Sequence, residues 1–311
     1  MTFSHTIFAL PFALIGFFIG MTSHSFWKFL SGPGKYKLNF TLDYEHEFRN
    51  YPKTITELIL RFILVIACMI FARSAAMAFN RWLDANFDAK NPRTAIREIP
   101  AGIIKANYAL LFVILNCIAF IICCWYINRI CFYLSFVALL VVLFYSYTKR
   151  FTALCHLVLG IGLSLAPIGA YLSVTGIFHL LPLLFSFTVL FWVSGFDIIY
   201  ALQDEVFDRE NKLHSIPVAV GPSKALRISE ALHLFSASCV VLAGVYGSFG
   251  AWYWMGVIFF ICLLIYQHLL VKPTDLSKIN KAFFTTNGIA SVVFSVFVLI
   301  DVFRNGYSLT Q

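Results

Sequence analysis

The stretch that decides the fold runs from residue 55 to residue 88 and reads ITELILRFILVIACMIFARSAAMAFNRWLDANFD. From Ile55 to Asn80 it is almost wholly apolar, and it is longer than the roughly 20 residues that a helix needs to cross a bilayer core. It then ends in Asn80, Asp84 and Asp88, at intervals of four residues. Residues four apart share one helical face, and carboxylates are costly beside lipid. The stretch therefore predicts a transmembrane helix with a functional acidic site at its end.

The composition extends this interpretation to the whole chain of 311 residues, of which 60% are hydrophobic and 12% are charged. A soluble globule of this composition would lack polar residues to cover its surface. Long apolar runs indicate helices rather than the short alternating strands of a barrel. We therefore predict an all-α membrane protein, a bundle of nine transmembrane helices. The nine runs are Thr6 to Phe29, Ile55 to Asn80, Ile103 to Tyr126, Cys131 to Tyr147, Ala153 to Val174, Phe178 to Tyr200, Leu226 to Tyr246, Trp252 to Leu270 and Phe283 to Phe303.

Lysine and arginine concentrate in the loops that follow the second, fourth, sixth and eighth runs. By the positive-inside rule these loops face the cytoplasm, and a bacterial inner membrane is the simplest location for such a multi-pass chain. The same distribution accounts for the net charge of +8, so no nucleic-acid partner is expected. The first run has no basic region before it and no good cleavage site, so we expect a retained helix rather than a signal peptide.

The polar segment from Lys28 to Lys53 is too short for a core of its own, and we expect one polytopic domain over residues 1–311. All eight cysteines lie within or beside apolar runs. Buried cysteine packs as a small hydrophobe, so neither a disulfide framework nor a zinc site is expected.

A second acidic set, Asp197, Asp204 and Asp208, lies at the end of the sixth run. It comes four helices after the first set, and each set lies in a polar, basic loop region, residues 80–102 and 197–225. This echo suggests two related four-helix groups and one further helix, with the two loop regions facing each other on the cytoplasmic side.

The chemistry of the two sets points to a cation and a phosphate. Acids this numerous repel one another unless cations lie between them, and their oxygens suit Mg²⁺, which completes its shell with water and substrate phosphate. Arginine and lysine, the usual phosphate ligands, lie close by in the sequence. They are Arg81, Arg93, Arg97, Lys149, Arg150, Arg209 and Lys212. The pattern predicts a Mg²⁺-diphosphate site, in which Lys149 shares a helical face with Tyr145, four residues earlier.

These residues resemble the UbiA superfamily of intramembrane aromatic prenyltransferases. Asn80-x3-Asp84-x3-Asp88 is similar to the family's first aspartate motif, and Asp204-x3-Asp208 to its second, with the usual Asp197 and Tyr200 upstream. Tyr145-x3-Lys149 is similar to the family's YxxxK segment. Further matches to the quinone-synthesis branch are His156 to Gly160, Ala166 to Gly169 and His5 to Pro11. The chain departs from the family in its long loop from Lys28 to Lys53, and in carrying His5-Thr6 where an Arg is frequent.

The resemblance implies the transfer of a polyprenyl group from its diphosphate to an aromatic ring. Mg²⁺ would be held by Asn80, Asp84, Asp88, Asp204 and Asp208. The four aspartates would act in catalysis together with Asp197, which is expected to orient the acceptor. Arg81, Tyr145, Lys149 and Tyr200 are the expected substrate-binding residues.

Arg73 is a charged residue inside the second run, seven residues before Asn80 and therefore on its face. A charge at this depth needs an anionic partner. The partner is either the acidic cluster, in a structural ion pair, or the carboxylate of an aromatic acceptor, so Arg73 is a candidate substrate-binding residue.

Two function classes compete with the enzyme. A proton- or ion-coupled transporter would carry its acids near helix centres or at broken helices, whereas these lie at helix ends beside bases. A lipid-binding scaffold would not need so many aligned acids. Within the enzyme class, 4-hydroxybenzoate of ubiquinone synthesis is the first acceptor considered, and a dihydroxynaphthoate of menaquinone synthesis is the second.

Overall fold

The computed structural model describes residues 6–22, 51–273 and 275–305, and in these ranges long helices dominate the structure. We number the nine long helices in chain order. They are α1 (Thr6–Thr22), α2 (Ile55–Leu83), α3 (Ala106–Ile127), α4 (Arg129–Thr148), α5 (Cys155–Thr175), α6 (Leu180–Ala201), α7 (Pro222–Tyr246), α8 (Ala251–Leu270) and α9 (Asn287–Asn305).

The predicted all-α membrane architecture is confirmed. Within the described ranges, eight helical segments are long and apolar enough to cross a membrane, and α1 is a shorter apolar helix. Two of the eight segments include turns outside the numbered helices. One extends from α6 through a 3₁₀ turn to Glu210, and the other begins at Lys281 with a π-helical turn that leads into α9. The end of the first predicted run, His5 and most of the loop from Lys28 to Lys53 lie outside the described residues.

Local sequence explains several helix boundaries. The Thr54 side chain accepts a hydrogen bond from the Glu57 backbone N–H at 3.1 Å, which caps the start of α2. Asn128 caps α4 by accepting from the Cys131 N–H at 2.8 Å, and its amide donates to the Leu172 carbonyl at 2.8 Å. One polar side chain thereby fixes the start of α4 against the end of α5.

We call α2 to α5 the first group and α6 to α9 the second, because each set begins with a helix that ends in an acidic motif; α1 contacts helices of both sets. In the first group α2 contacts α3 and α4, and α4 contacts α5; in the second, α6 contacts α7 and α8 contacts α9. Helix α1 lies against α5 and α9, and the groups meet where α5 packs along α6. The first helix of each group, α2 or α6, is the one that ends in an acidic motif.

The core of the second group is aromatic and includes one buried polar contact. Trp192 of α6 is fully buried among Phe8, Phe196 and Phe260, with ring centroids 5.2–6.3 Å apart. Its indole N–H donates to the side-chain oxygen of Asn287 at 3.0 Å, which satisfies a polar group that burial would otherwise penalise. This contact fixes α6 against α9 and so helps to hold the second acidic motif in place.

Candidate active site

One cavity of about 770 Å³ lies between the two helix groups. Its wall includes all eleven of the predicted catalytic, substrate-binding and metal-binding residues, whereas the basic candidates Arg209 and Lys212 do not line it. The eleven are Arg73, Asn80, Arg81, Asp84, Asp88, Tyr145, Lys149, Asp197, Tyr200, Asp204 and Asp208. The rest of the wall is mainly apolar, with side chains such as Val65, Met69 and Phe120. A polar end and an apolar remainder thus share a single cavity.

Both motifs reach the cavity through a break at the end of a long helix. Asp84 terminates α2, its N–H still donating to the Asn80 carbonyl at 2.9 Å, and the short helix Ala85–Asp88 follows at once. On the other side a 3₁₀ turn, Leu202–Asp204, separates α6 from the short helix Glu205–Glu210. The breaks leave Asp84 and Asp204 at the junctions, while Asp88 and Asp208 are buried one turn further on.

Each aspartate of the first motif is paired with an arginine. Arg97 donates from one nitrogen to both oxygens of Asp88, at 2.9 and 2.8 Å. The Arg150 guanidinium lies 3.3 Å from Asp84 and also donates to the Leu83 carbonyl at 2.8 Å. Asn80 donates to the other oxygen of Asp84 at 3.0 Å, so the predicted ligands of this motif already contact one another.

The second motif is neutralised in the same way. Arg93 donates from two nitrogens to the two carboxylate oxygens of Asp204, at 2.5 and 3.2 Å, and it also donates to the Tyr200 hydroxyl at 2.8 Å. The Lys149 ammonium lies 2.8 Å from Asp208, whose side chain is only 1% exposed against 35% for the lysine. Arg93 comes from the loop after the first motif, so this ion pair joins the two helix groups across the cavity mouth.

Burial and charge act in opposite directions on these groups. Burial raises the pKa of the Asp84 carboxyl above its ordinary value, although Arg150 opposes the change. For Lys149 burial disfavours the charged form, but the carboxylate of Asp208 outweighs it and the pKa is raised. For Arg93 burial likewise lowers the pKa, yet Asp204 and Tyr200 raise it overall. The two bases therefore stay cationic at neutral pH.

The remaining predicted residues occupy distinct positions. Arg81 forms an ion pair with Glu98 in the loop that follows the first motif. Arg73 lies on the cavity wall, as does Tyr145, whose hydroxyl is within range of the charges on Asp197 and Asp84. Asp197 accepts a short contact of 2.7 Å from His156 of α5. Arg73, Arg81 and Tyr145 all line the space that a ligand would fill, and the roles of the three in substrate binding stay predictions.

The donor set fits the hard cation that the sequence predicts. Four carboxylates and an amide oxygen lie on the wall of one cavity, and such oxygens are the ligands that Mg²⁺ takes in proteins. Within the described residues, no three acid, histidine or cysteine side chains are already gathered as a metal cluster. The reason is visible in the ion pairs, since each motif aspartate is held by its own base.

The sequence did not identify the pairing of acids with bases. The sequence indicates Arg93, Arg97 and Arg150 only as nearby positive charges, and it gives no signal for Asn91, which donates to Asp204 at 3.4 Å. The sequence places His156 within a family match but does not indicate that it is the partner of Asp197. Spacing along one helix predicts which residues share a face, but these contacts cross between separate segments, which spacing cannot report.

Comparison with known proteins agrees with this geometry. A model of the UbiA prenyltransferase family matches residues 52–289. The chain is 29% identical over 238 residues to the 4-hydroxybenzoate octaprenyltransferase of Tolumonas auensis, covering 76% of this chain and 83% of that protein. It is 30% identical over 247 residues to the protein of the same name from Nitrosomonas europaea, covering 79% and 84%.

Solved structures share the fold over almost the whole chain. The apo structure of a UbiA homolog from Aeropyrum pernix aligns with a TM-score of 0.78 at 26% identity, covering 97% of this chain and 99% of that one. A UbiA homolog from Archaeoglobus fulgidus bound to DMAPP and Mg²⁺ aligns with a TM-score of 0.65 at 18% identity, covering 96% of both chains.

Proposed function

The chain belongs to the UbiA prenyltransferase family, and from this premise we propose that it transfers a polyprenyl group from its diphosphate to a hydroxylated aromatic acid. The acceptor we favour is 4-hydroxybenzoate, the compound that names the curated relatives, in the synthesis of a respiratory quinone. Residues 1–311 would form one polytopic domain in a bacterial inner membrane, with the site open toward the cytoplasm, as the distribution of basic loops indicates.

The observation that carries this proposal is the single cavity with a charged end and an apolar remainder. A prenyl diphosphate has the same two parts. The diphosphate would meet the four cations that pair with the motif aspartates, and the tail would lie along the apolar wall. The acceptor ring would enter between them, beside Tyr145, Asp197 and Tyr200.

Asn80, Asp84, Asp88, Asp204 and Asp208 are the residues that would hold Mg²⁺. Once bound, the cation would neutralise the negative charge that builds on the leaving diphosphate. The chain itself would supply Arg93, Arg97, Lys149 and Arg150, which are released for the diphosphate when their carboxylates turn to the metal. The buried setting of Asp88 and Asp208 would strengthen each of these interactions by excluding water.

A transporter would use the same residue types differently. It would need acids near the middle of a helix or at a helix interrupted within the membrane. Here Asp84 terminates α2 and Asp204 follows the end of α6, and both are ion-paired. The relatives also carry the name of a transferase.

The test is a product assay on the purified full chain with Mg²⁺, geranyl or a longer prenyl diphosphate, and a panel of aromatic acids that includes a dihydroxynaphthoate. Mass spectrometry of the extract would report prenylated product. We expect Asp84→Ala and Asp208→Ala to lower the rate about a hundredfold or more, since charge stabilisation by a metal contributes several kcal/mol to a barrier.

Glu210→Ala is the matched control, because it removes an exposed acid two residues beyond Asp208 that does not line the cavity. It should keep the parent rate. If no acceptor on the panel gives product, or if the two motif variants are as active as the control, the proposed function is wrong.

A further inference from the structure

A widened helical turn places aromatic side chains on the cavity wall. Residues Lys281–Thr286 form a π-helical turn that leads directly into α9. Turns of this kind are rare in proteins and occur frequently at functional sites. Phe283 and Phe284, two consecutive residues of the turn, both line the cavity between the helix groups. The diphosphate site described above uses neither of them.

Buried polar side chains hold this turn in place. Gln267 of α8 is fully buried, and its amide donates to the Ala282 carbonyl at 2.9 Å. Asn287, the first residue of α9, donates to the Phe283 carbonyl at 2.9 Å, and its side-chain oxygen accepts the hydrogen bond from Trp192 of α6. Two carbonyl groups of the turn thus have side-chain partners, so the turn is a fixed part of the fold.

The aromatic rings of the turn are connected to the charged end of the cavity through Tyr200. The Phe283 ring stacks on the Tyr200 ring, with centroids 4.2 Å apart and planes inclined by 29°. Arg93 donates to the Tyr200 hydroxyl at 2.8 Å, and its guanidinium lies over the same ring at 5.3 Å from the centroid. Arg93 also binds Asp204 of the second motif. These rings therefore lie at the boundary between the charged end and the apolar remainder of the cavity.

Of the three rings, that of Phe284 is best placed to contact a ligand. Phe283 is only 3% exposed, because its ring packs on those of Phe196 and Tyr200. The Tyr200 ring is already in contact with Phe283 and with the guanidinium of Arg93. Phe284 is half-buried and lines the cavity, and its ring lies perpendicular to that of Phe283 with centroids 4.7 Å apart.

We infer that Phe284 is a catalytic residue of the proposed transfer, and that its ring contacts the allylic carbons beside the diphosphate and stabilises the positive charge that develops on them. The inference rests on the proposed function and adds a residue to its mechanism. The carbon that bears the diphosphate joins the charged part of the substrate to its apolar tail, so it belongs at the boundary where Phe284 lies. The face of an aromatic ring attracts a cation within about 6 Å of its centroid.

The transfer balances without any bond to Phe284. The C1–O bond of the prenyl diphosphate breaks and its electron pair leaves with the diphosphate, so C1 and C3 of the allylic group share the positive charge. A ring carbon of the acceptor then gives an electron pair to C1, and the proton on that carbon passes to the diphosphate, which restores the aromatic ring. Because the bound substrate has no positive charge on these carbons, Phe284 stabilises the transition state more than the ground state.

The experiment weakens the electrostatic field of the ring while it keeps a ring at this position. In the full chain, Phe284 is replaced by 4-fluoro-, 3,5-difluoro- and pentafluorophenylalanine through site-specific incorporation. Single-turnover rates are measured in detergent with Mg²⁺, geranyl diphosphate and the acceptor that gives product in the panel assay. Fluorine withdraws electron density from the ring face, so the rate should fall stepwise, about tenfold over the series.

The concentration of geranyl diphosphate that gives half the maximal rate should stay within about twofold, because the interaction is made only in the transition state. Phe284→Leu, which keeps an apolar side chain but has no ring, should lower the rate by a similar factor, about tenfold. A side chain that served only to pack the wall would instead alter substrate affinity and thermal stability, and it would not respond to the number of fluorine atoms.

Phe191 is the matched control position. It is half-buried like Phe284, and its ring packs on Phe235 of α7 with centroids 5.6 Å apart, but it does not line the cavity. The same fluorinated series at Phe191 should leave the rate unchanged. A thermal unfolding scan of each variant shows that it is folded.

A rate that does not depend on the number of fluorine atoms at Phe284 would overturn the inference, and a loss confined to Phe284→Leu would then reflect packing. An equal decline at Phe191 would overturn it as well, since that ring cannot reach the substrate. Absence of product from the unaltered chain with every acceptor would instead mean that the proposed function itself is wrong, so the two failures are distinguishable.

Discussion

At the scale of single residues, the site is a set of one-to-one ion pairs. Asp84, Asp88, Asp204 and Asp208 each contact a different base, and the bases are more exposed than their acids. Removing one partner of a buried pair leaves an uncompensated charge, which costs more than the pair itself contributes. The pairs therefore keep four acids compatible with a buried site in the absence of ligand.

Asp84→Asn should stabilise the metal-free protein at neutral pH while it lowers activity. The folded-state pKa of Asp84 is raised, chiefly by burial, so between its ordinary and raised values the folded protein binds more protons than the unfolded chain. Stability therefore falls as pH rises through that window, and the deficit remains at pH 7. Asparagine has no charge to desolvate and avoids this deficit. Its partner Arg150 is 34% exposed and still donates to the Leu83 carbonyl, so the substitution leaves no fully buried charge unpaired.

The measurement is the thermal unfolding midpoint in buffer with a chelator, from neutral to acid pH. The advantage of Asp84→Asn should shrink as the pH falls and the native aspartate takes up its proton. Glu210→Gln, on an exposed acid, should show no such trend. A variant that is less stable than the parent at pH 7 would contradict the argument.

Lys149→Met should destabilise the fold by about 1–3 kcal/mol, because it leaves the carboxylate of Asp208 buried without its cation. Adding Asp208→Asn should restore much of the loss, since the pair is then removed together. The free energy of unfolding of the parent, the two single variants and the double variant is measured by denaturant unfolding. Additive effects of the two substitutions would show that the ion pair carries no coupling energy.

At the scale of elements, helix contacts depend on small residues at the seam between the two groups. A Cβ added to Gly160 of α5 would lie 2.5 Å from the Leu190 carbonyl oxygen of α6, closer than two such atoms can approach. Gly169, on the same helix, has no atom within 4 Å of that position. The seam is therefore close-packed at Gly160, whereas Gly169 lines the open space of the cavity.

Gly160→Ala should lower stability by about 1–3 kcal/mol, the usual cost of overpacking, because the backbone of α6 must move. Gly169→Ala should be neutral or stabilising by up to about 1 kcal/mol, since alanine is the better helix former. Thermal unfolding of both variants checks this. Equal changes in stability for the two variants would show that the close approach of α6 at Gly160 does not decide the outcome.

The sequence predicts which segments form helices. It does not predict the breaks in those helices or the contacts between segments that are distant in the sequence. Apolar length alone located the spans, because a bilayer fixes how long a helix must be. The 3₁₀ turn at Leu202–Asp204 has no comparable signal, since its residues also favour an ordinary helix. Likewise, the type and spacing of Asp84 and Asp208 indicated a site, but their partners Arg150 and Lys149 come from another helix end and depend on the folded arrangement.

At the scale of the whole molecule, the two helix groups place equivalent motifs on opposite walls of one cavity. Arg93 joins them, because it leaves the loop of the first motif and binds Asp204 of the second. The site is complete only when both groups are present. The internal echo suggested by the sequence would therefore have a direct consequence, since neither group alone holds the full set of predicted ligands.

The side of the membrane on which the motif loops lie remains a prediction from charge distribution, and labelling can check it. Lys90→Cys places a thiol in the exposed loop after the first motif, and Ser248→Cys places one in the loop between α7 and α8, at the other end of the bundle. A membrane-impermeant maleimide should label Lys90→Cys only in inverted vesicles and Ser248→Cys only in intact spheroplasts. The unaltered chain gives the background from native cysteines, and the reverse pattern would mean the opposite orientation.

Under the proposed function, the ion pairs between acids and bases at the site would also link the binding of the two ligands. Mg²⁺ alone would displace the bases from the aspartates and leave four cationic side chains without ion-pair partners. Diphosphate alone would bind the bases and leave the four carboxylates without theirs. Each ligand removes the penalty that the other creates, so their affinities are linked and must rise by the same factor. Under the proposed function, such heterotropic cooperativity would give a site with low affinity for magnesium or pyrophosphate alone and high affinity only when both are present.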